Sequence, residues 1–339
     1  MKKYISLLLA ALMLLSLLAG CGGGKTNADD GDGTRTLVLR NTAGLSTNDP
    51  HATTNTHDYT VFENIYEGLY DLNEATGGYD LRLAEKVEAN DDATEYIVTL
   101  KQGVKFHNGE TMTADDVVFS YDHAQKDAHM GSYCRPLDHV EKIDEYTVKI
   151  VMNQPFSPIG HMLHKVKIMS KKGIEELGND FGKVPNKVGT GPYMWDENNY
   201  NPLSSWSAVA FEDYHRGKAQ NEKITWNVIE DDTSAITALQ NGELDYMVVP
   251  ISYWGDIKAS DKFNCVEKES NEVMLFCINV ESKTHGELLR NDNIRLAMMY
   301  ALDRDGINKL VCDGYGTPTY MYILSLIHIS EPTRLGMIS

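Results

Sequence analysis

The side chains able to do chemistry are scattered along this chain rather than grouped. Cysteines stand at Cys21, Cys134, Cys265, Cys277 and Cys312 with no CxxC pair, so a zinc site or a thioredoxin-like redox motif has no support. The last four allow three full disulfide pairings, and buried free thiols are an equal alternative. His161 and His164 could share a helical face as metal ligands, but no third ligand accompanies them, and surface or partly buried histidines are the preferred reading. Asp231-Asp232 and Asp303/Asp305 are paired carboxylates, each at the start of an expected helix, where negative charge complements the macrodipole. Gly189-Thr190-Gly191 opens like a dinucleotide loop but continues Pro192-Tyr193-Met194-Trp195, which favours a tight glycine turn. Residues 178–183 fall one residue short of a GxxxxGK[ST] phosphate loop and lack its hydroxyl, and neither GxSxG nor HExxH occurs.

The elements that must position these residues alternate between strand and helix. Residues 36–40 read as a short buried strand, and residues 58–69 as a helix with Val61, Phe62, Ile65, Tyr66 and Leu69 on one face. Turns are expected at Gln102-Gly103, between residues 95–100 and 104–107, and at Asn108-Gly109. Thr113 is the N-cap of a helix, with Asp116 closing a capping box and Val117, Val118 and Tyr121 following. Residues 145–152 alternate as a half-buried strand, with Tyr146, Val148, Ile150 and Met152 on one side. Residues 224–229, 233–240 and 244–249 predict a strand, a helix closed by Asn241-Gly242, and a second strand: a βαβ unit with a parallel sheet and a right-handed crossover. Residues 273–280 predict another strand. Residues 291–302 predict a helix with Ile294, Ala297, Met298 and Ala301 inward, and Asp303 to Asp305 start a further one. The body is therefore α/β.

The N-terminus carries an address. Met1-Lys2-Lys3, an apolar run over residues 5–18 and small residues before Cys21 describe a secretory signal peptide over residues 1–20, too short to span a bilayer. Leu18-Ala19-Gly20-Cys21 resembles the lipobox of bacterial lipoproteins, which implies that Cys21 takes up lipid and becomes the mature N-terminus. Residues 21–35 are a flexible tether rich in glycine and polar residues. The expectation is an exported chain, lipid-anchored to the cell membrane and working outside the cytoplasm. A net charge of −18 argues against nucleic acid or anionic lipid as a partner. With 339 residues, 42% of them hydrophobic, the chain can build about two domains with sizeable cores.

Several blocks taken together resemble the extracellular solute-binding proteins of ABC importers, family 5, the peptide- and nickel-binding branch. They are Asn48-Asp49-Pro50, Phe62-Glu63-Asn64-Ile65-Tyr66-Glu67-Gly68-Leu69, Leu83-Ala84-Glu85-Lys86, residues 100–121 with Lys105-Phe106-His107-Asn108-Gly109, Val188-Gly189-Thr190-Gly191-Pro192-Tyr193, Gly242-Glu243-Leu244-Asp245, and Tyr300-Ala301-Leu302-Asp303-Arg304. Their order and spacing across residues 36–318 carry the likeness. The chain departs from the family pattern at Val87 and at Asp213-Tyr214-His215, both read as packing positions.

The resemblance implies a two-lobed, periplasmic-binding-protein-like clamshell of type II with an extra small domain. Lobe I would be residues 36–58 and 173–269, the extra domain residues 59–172, and an incomplete lobe II would begin at residues 270–322. Ligand would sit between lobes that close by hinge motion and present it to permease subunits, with no bond made or broken, no cofactor and no metal. Residues nearest the ligand would be Thr54, Thr56, Tyr133 and the 249–254 stretch, with Val249 and Trp254 as its ends. Hydroxyls there suit a peptide backbone, and Tyr133 and Trp254 offer flat apolar faces, although Trp254 reads equally as a core or surface aromatic. Alternatives are a nickel chelate held by His51 or His57, haem or a short oligosaccharide and, from other classes, a surface hydrolase or a structural lipoprotein. The resemblance stops near Thr317-Pro318. Residues 323–339 resemble a translated sequencing-adapter read-through, so they are expected to be a non-native tail on a truncated reading of a longer protein.

Overall fold

The computed structural model describes residues 35–73, 75–268 and 273–319. The expected signal peptide, the expected lipidation site Cys21, most of the expected tether and the expected 323–339 tail lie outside the described residues. The chain divides into two compact units, residues 1–248 and 249–339.

The first unit holds two hydrophobic cores, each built on its own sheet. Strand β1 (Thr36–Asn41) pairs in parallel with β10 (Lys223–Val228), which continues antiparallel through β9 (Ser205–Ala210) to β8 (Tyr193–Asn201). Helix α1 (Thr56–Ile65) covers this sheet, putting Val61, Phe62 and Ile65 into a core with Tyr66, Met169 and the indoles of Trp195, Trp206 and Trp226. Large aromatics fill such a layer because each removes 150–250 Å² from water (approximately).

A small hairpin, β2 (Tyr70–Asn73) with β3 (Gly78–Leu81), leads into the second sheet. That sheet runs β4 (Ala84–Ala89), β5 (Glu95–Leu100), β7 (Thr147–Met152), β6 (Leu137–Asp144), all antiparallel. Tyr96, Val98 and Leu100 of β5 and Val148, Ile150 and Met152 of β7 face inward, as the period-2 pattern demands. Helix α2 (Ala114–Lys126) and the short α3 (Gly160–Lys165) close that core with Val117, Tyr121, Met162 and Leu163. The cores change over between Tyr66 and Leu69, and again between Ile168 and Met169, where α4 (Lys171–Leu177) follows.

The local signals hold where they are chemical. Thr113 and Asp116 form the reciprocal capping box of α2, and Gly242 ends α5 (Asp232–Asn241) in the left-handed conformation with φ +76. Gly103 and Gly109 also take positive φ at the two expected turns. Residues 104–107 form no strand; they carry an isolated Lys105–Thr111 bridge and backbone bonds to Glu110, Met112 and Gly189. The 58–69 helix ends at Ile65, though Tyr66 and Leu69 stay buried as predicted. Gly189 and Gly191 lie against the end of α1: an added Cβ would fall 2.2 Å from the Ile65 carbonyl oxygen at Gly189 and 2.6 Å from that of Asn64 at Gly191. The glycine run is thus a packing device.

Tertiary pairing overrules the pattern in two places. Residues 244–249 give one parallel bridge, Leu39 with Tyr246, in place of a strand. The Asp245 carboxylate takes the Val38 amide at 2.7 Å, so a side chain fills a ladder position, and Pro250 follows without an N–H to continue it. Residues 273–280 form no strand and pair with no other strand among the described residues.

The second unit contains helices only among its described residues: α6 (Ile251–Lys258), α7 (Gly286–Leu289), α8 (Asp292–Ala301) and α9 (Arg304–Val311). Asn291 caps α8 and Asp303 caps α9. Ile294 is half-buried and Ala297, Met298 and Ala301 are exposed, contrary to the inward face expected, since the short α7 is the helix that meets α8 among the described residues. Phe276, Tyr300 and Leu310 are 66%, 84% and 87% exposed.

Candidate functional site

The loop from β1 to α1 is rich in small polar residues, and one buried carboxylate organises it. Asp58 accepts from the Ser46 amide at 3.2 Å, from the Ser46 hydroxyl, and from the Thr53 hydroxyl at 2.7 Å. Both ends of the loop are therefore tied to the first turn of α1. Thr54 and Thr56 are left exposed where the loop enters the helix. Sequence reasoning missed Asp58; the signal was an acidic residue spaced along an otherwise apolar helical face.

One turn apart on α1, Tyr59 and Glu63 point toward the strand-like return from the small domain. The Tyr59 hydroxyl donates to the Thr53 carbonyl at 3.3 Å, and the Lys165 ammonium lies 4.3 Å from the Tyr59 ring centroid. Glu63 Oε2 accepts from Lys167 Nζ at 2.8 Å, with Lys167 only 1% exposed. Tyr133 is half-buried, with its ring 5.4 Å from that of His161, and packs on the same core as Tyr59. The i, i+4 spacing of Tyr59 and Glu63 was visible in the sequence but carried no motif.

Val249 and Trp254 fall in the second unit. Val249 is half-buried. Trp254 is buried against its own unit, its indole N–H donating to Glu267 at 2.9 Å while Lys258 Nζ lies 5.7 Å from its ring centroid.

The histidines divide by environment. His161 stays at the surface, its Nδ1 3.1 Å from the Tyr79 hydroxyl, whereas His164 is buried, 3.9 Å from Glu63 and pushed down to about 4 by burial. His57 lies 3.7 Å from Asp58. His51 is fully buried beside Asp49 and His123, and the three offer ligand atoms within 4.8 Å of one another. Proton placement argues against a metal there. His51 Nε2 accepts from the Lys167 amide at 3.1 Å, so the neutral ring carries its proton on Nδ1 and has no free lone pair. Burial pushes His51 down to about 4 and keeps it neutral. His123 Nε2 donates to Asp49 at 2.8 Å, and that hydrogen bond raises the imidazole above its ordinary range. Burial, which alone would raise the Asp49 carboxyl, is outweighed by the His123 bond and the neighbouring imidazoles, so the carboxyl is lowered. The trio is an interlock between the loop, α2 and the return segment.

A second polar hub explains the departure at Asp213-Tyr214-His215. Glu67, 5% exposed, accepts from the Tyr214 hydroxyl at 2.8 Å, from His215 Nε2 at 2.9 Å and from the Thr190 hydroxyl at 3.0 Å. Arg82 lies 3.4 Å from the same carboxylate and also pairs with Asp71. Tyr214 and His215 are thus hydrogen-bonding positions rather than apolar packing ones.

Known proteins frame this arrangement. Residues 79–330 match the bacterial extracellular solute-binding proteins, family 5, middle region. The glutathione-binding protein GsiB of Salmonella paratyphi A is 30% identical over 83% of this chain and 55% of its own length. The chain spans about half the length of the curated relatives it matches. Among solved structures, the oligopeptide-binding protein AppA of Bacillus subtilis, in complex with a nonapeptide, is 25% identical with a TM-score of 0.76, covering 85% of this chain and 58% of that one. The binding protein MoaA of A. tumefaciens R10, in complex with mannopinic acid, is 31% identical with a TM-score of 0.58, covering 62% and 44%. The α/β fold is that of the type II periplasmic binding proteins. Among the described residues no helix is long and apolar enough to cross a membrane. The chain belongs to the bacterial extracellular solute-binding proteins, family 5.

Proposed function

We propose that this chain is the membrane-tethered solute-binding subunit of an ABC importer, taking up di- and oligopeptides between two lobes and passing them to permease subunits. The observation that carries the reading is the likeness to a relative holding a nonapeptide, over 85% of this chain. Lobe I comprises residues 36–58 and 173–269 and the inserted domain residues 59–172, with lobe II beginning at residues 270–322; the change of core near Leu69 and Ile168 supports the insertion. Thr54, Thr56, Tyr133, Val249 and Trp254 contact the ligand, and no catalytic group takes part. Three of these are accessible in the first unit: Thr54, Thr56 and Tyr133. Lipid on Cys21 holds the protein at the outer face of the membrane.

Calorimetry with peptide pools tests the binding role. Heat of binding at micromolar peptide supports it; no binding to peptides, together with peptide cleavage, would return the hydrolase alternative. For the anchor, radiolabelled palmitate fed to expressing bacteria should enter the wild type and be absent from C21S.

A further inference from the structure

Lys165 is a half-buried cation with no carboxylate paired to it among the described residues. The Glu63 charge acts on Lys165, but its Oε2 is committed to Lys167 Nζ at 2.8 Å, with Oε1 facing His164 at 3.9 Å. Among the described residues the Lys165 ammonium has no carboxylate within 4 Å and no side-chain hydrogen bond; it rests on the Tyr59 ring, 4.3 Å from its centroid. Two lysines against one carboxylate leave one positive charge over, in a chain whose net charge is −18. Burial, with Lys167 adding to it and Glu63 opposing, lowers the Lys165 pKa from its ordinary value, as expected for an ammonium partly stripped of water. Partial burial and the Lys165 cation both push the His161 imidazole below its ordinary value, so it does not compete for the site as a second cation.

The surroundings of that charge are those of a small-ligand contact. Tyr59 connects Lys165 to the loop through the Thr53 carbonyl, next to the exposed Thr54. Tyr133 and His161 supply a pair of rings from the small domain, 5.4 Å apart. Aromatic faces, hydroxyls and one desolvated cation together recognise a molecule with an apolar body and a single anionic end.

We propose that Lys165 anchors a free carboxylate of the transported solute, making it the specificity-determining residue of this half of the site. The inference rests on the solute-binding reading above and deepens it to carboxylate-bearing ligands. An incoming carboxylate pairs with that charge, and the Tyr59 ring holds the ammonium in place before the ligand arrives, which reduces the entropy lost on binding.

The test uses the full chain and two probes: a pool of random tripeptides with free C-terminal carboxylates, and the same pool amidated. Wild type should bind the free-acid pool about tenfold more tightly than the amide, a charge-assisted bond's worth. K165Q should bind both pools alike at the amide's level, and K165R should keep the preference while melting like wild type. Equal binding of the two pools by wild type, or a preference that survives in K165Q, overturns the carboxylate anchor and leaves the solute-binding reading standing. If neither pool binds the wild type, the peptide-binding reading fails and the anchor with it.

Discussion

The Lys167 backbone amide donates to Nε2 of His51 at 3.1 Å, a bond between two buried residues 116 positions apart in the chain. It ties the loop after β1 to the segment that returns from the small domain. The acceptor role fixes the imidazole tautomer and so keeps a buried histidine neutral. The same lysine anchors Glu63 through its side chain, so one residue holds the loop by its backbone and α1 by its ammonium.

Removing that acceptor should be costly. H51F retains an aromatic ring of similar size but leaves the Lys167 amide unpaired in the interior, and the expected loss is about 2 kcal/mol. Urea denaturation of wild type and H51F at pH 7 measures it; a change below about 0.5 kcal/mol would mean the bond contributes nothing net.

Acid should unfold the first unit well before its carboxylates are all protonated. His51 and His107 are pushed down to about 4 by burial, so the unfolded chain takes up protons near pH 6.5 that the folded one refuses until about 4. Stability therefore falls as pH drops through that window, by up to about 3 kcal/mol per histidine. Denaturant midpoints at pH 7 and 5 should differ accordingly. A flat profile across this range contradicts buried neutral imidazoles.

The Asp49–His123 pair has the opposite dependence on its basic side. His123 is raised by its bond to Asp49, so its contribution is complete below 6.5 and disappears as pH rises through the higher folded value. Asp49 is lowered, so the pair is also lost as pH falls below about 3.8 toward the folded value. H123Q should cost most near pH 5 to 6 and least near pH 9, read as the difference in melting free energy from wild type. An equal cost at both pH values would refute a charged pair.

Glu67 gathers a tyrosine, a histidine, a threonine and an arginine around one buried carboxylate, so E67A should lose about 2 to 3 kcal/mol by leaving the Tyr214, His215 and Thr190 donors without their acceptor, while Arg82 keeps Asp71. Y214F removes one donor and should cost about 1 kcal/mol. A double-mutant cycle of E67Q with Y214F should give a non-additive term, and strict additivity would show that the two residues do not share the bond.

At Gly189, an alanine Cβ would meet the Ile65 carbonyl oxygen at 2.2 Å, and backbone cannot swing aside as a side chain can. G189A should therefore destabilise by about 2 kcal/mol or more. Leu310, 87% exposed, should accept lysine within about 0.5 kcal/mol. Chemical denaturation of both variants checks the contrast; the reverse ranking would mean that the burial of these two sites is misread.

What the sequence determined by itself was set by near neighbours. The capping box of Thr113 and Asp116, the left-handed Gly242 and the alternation of residues 147–152 each depend on a few residues and on solvent, so composition and spacing suffice to read them. The family blocks were legible for a similar reason, since several are local turns and caps. Tertiary structure alone decided which long-range partners met. Residues 244–249 and 273–280 have strand-like sequences, yet a strand exists only where another edge accepts its amides, and one found a single bridge while the other found none. The inward face read for α8 likewise needed a neighbour to bury it. The polar hubs at Glu67 and His51 were invisible because each joins segments far apart in the chain, whereas Asp58 binds Ser46 and Thr53, close by in the chain. Buried charge is stabilised by specific partners rather than by pattern, and only the fold brings those partners within hydrogen-bonding distance.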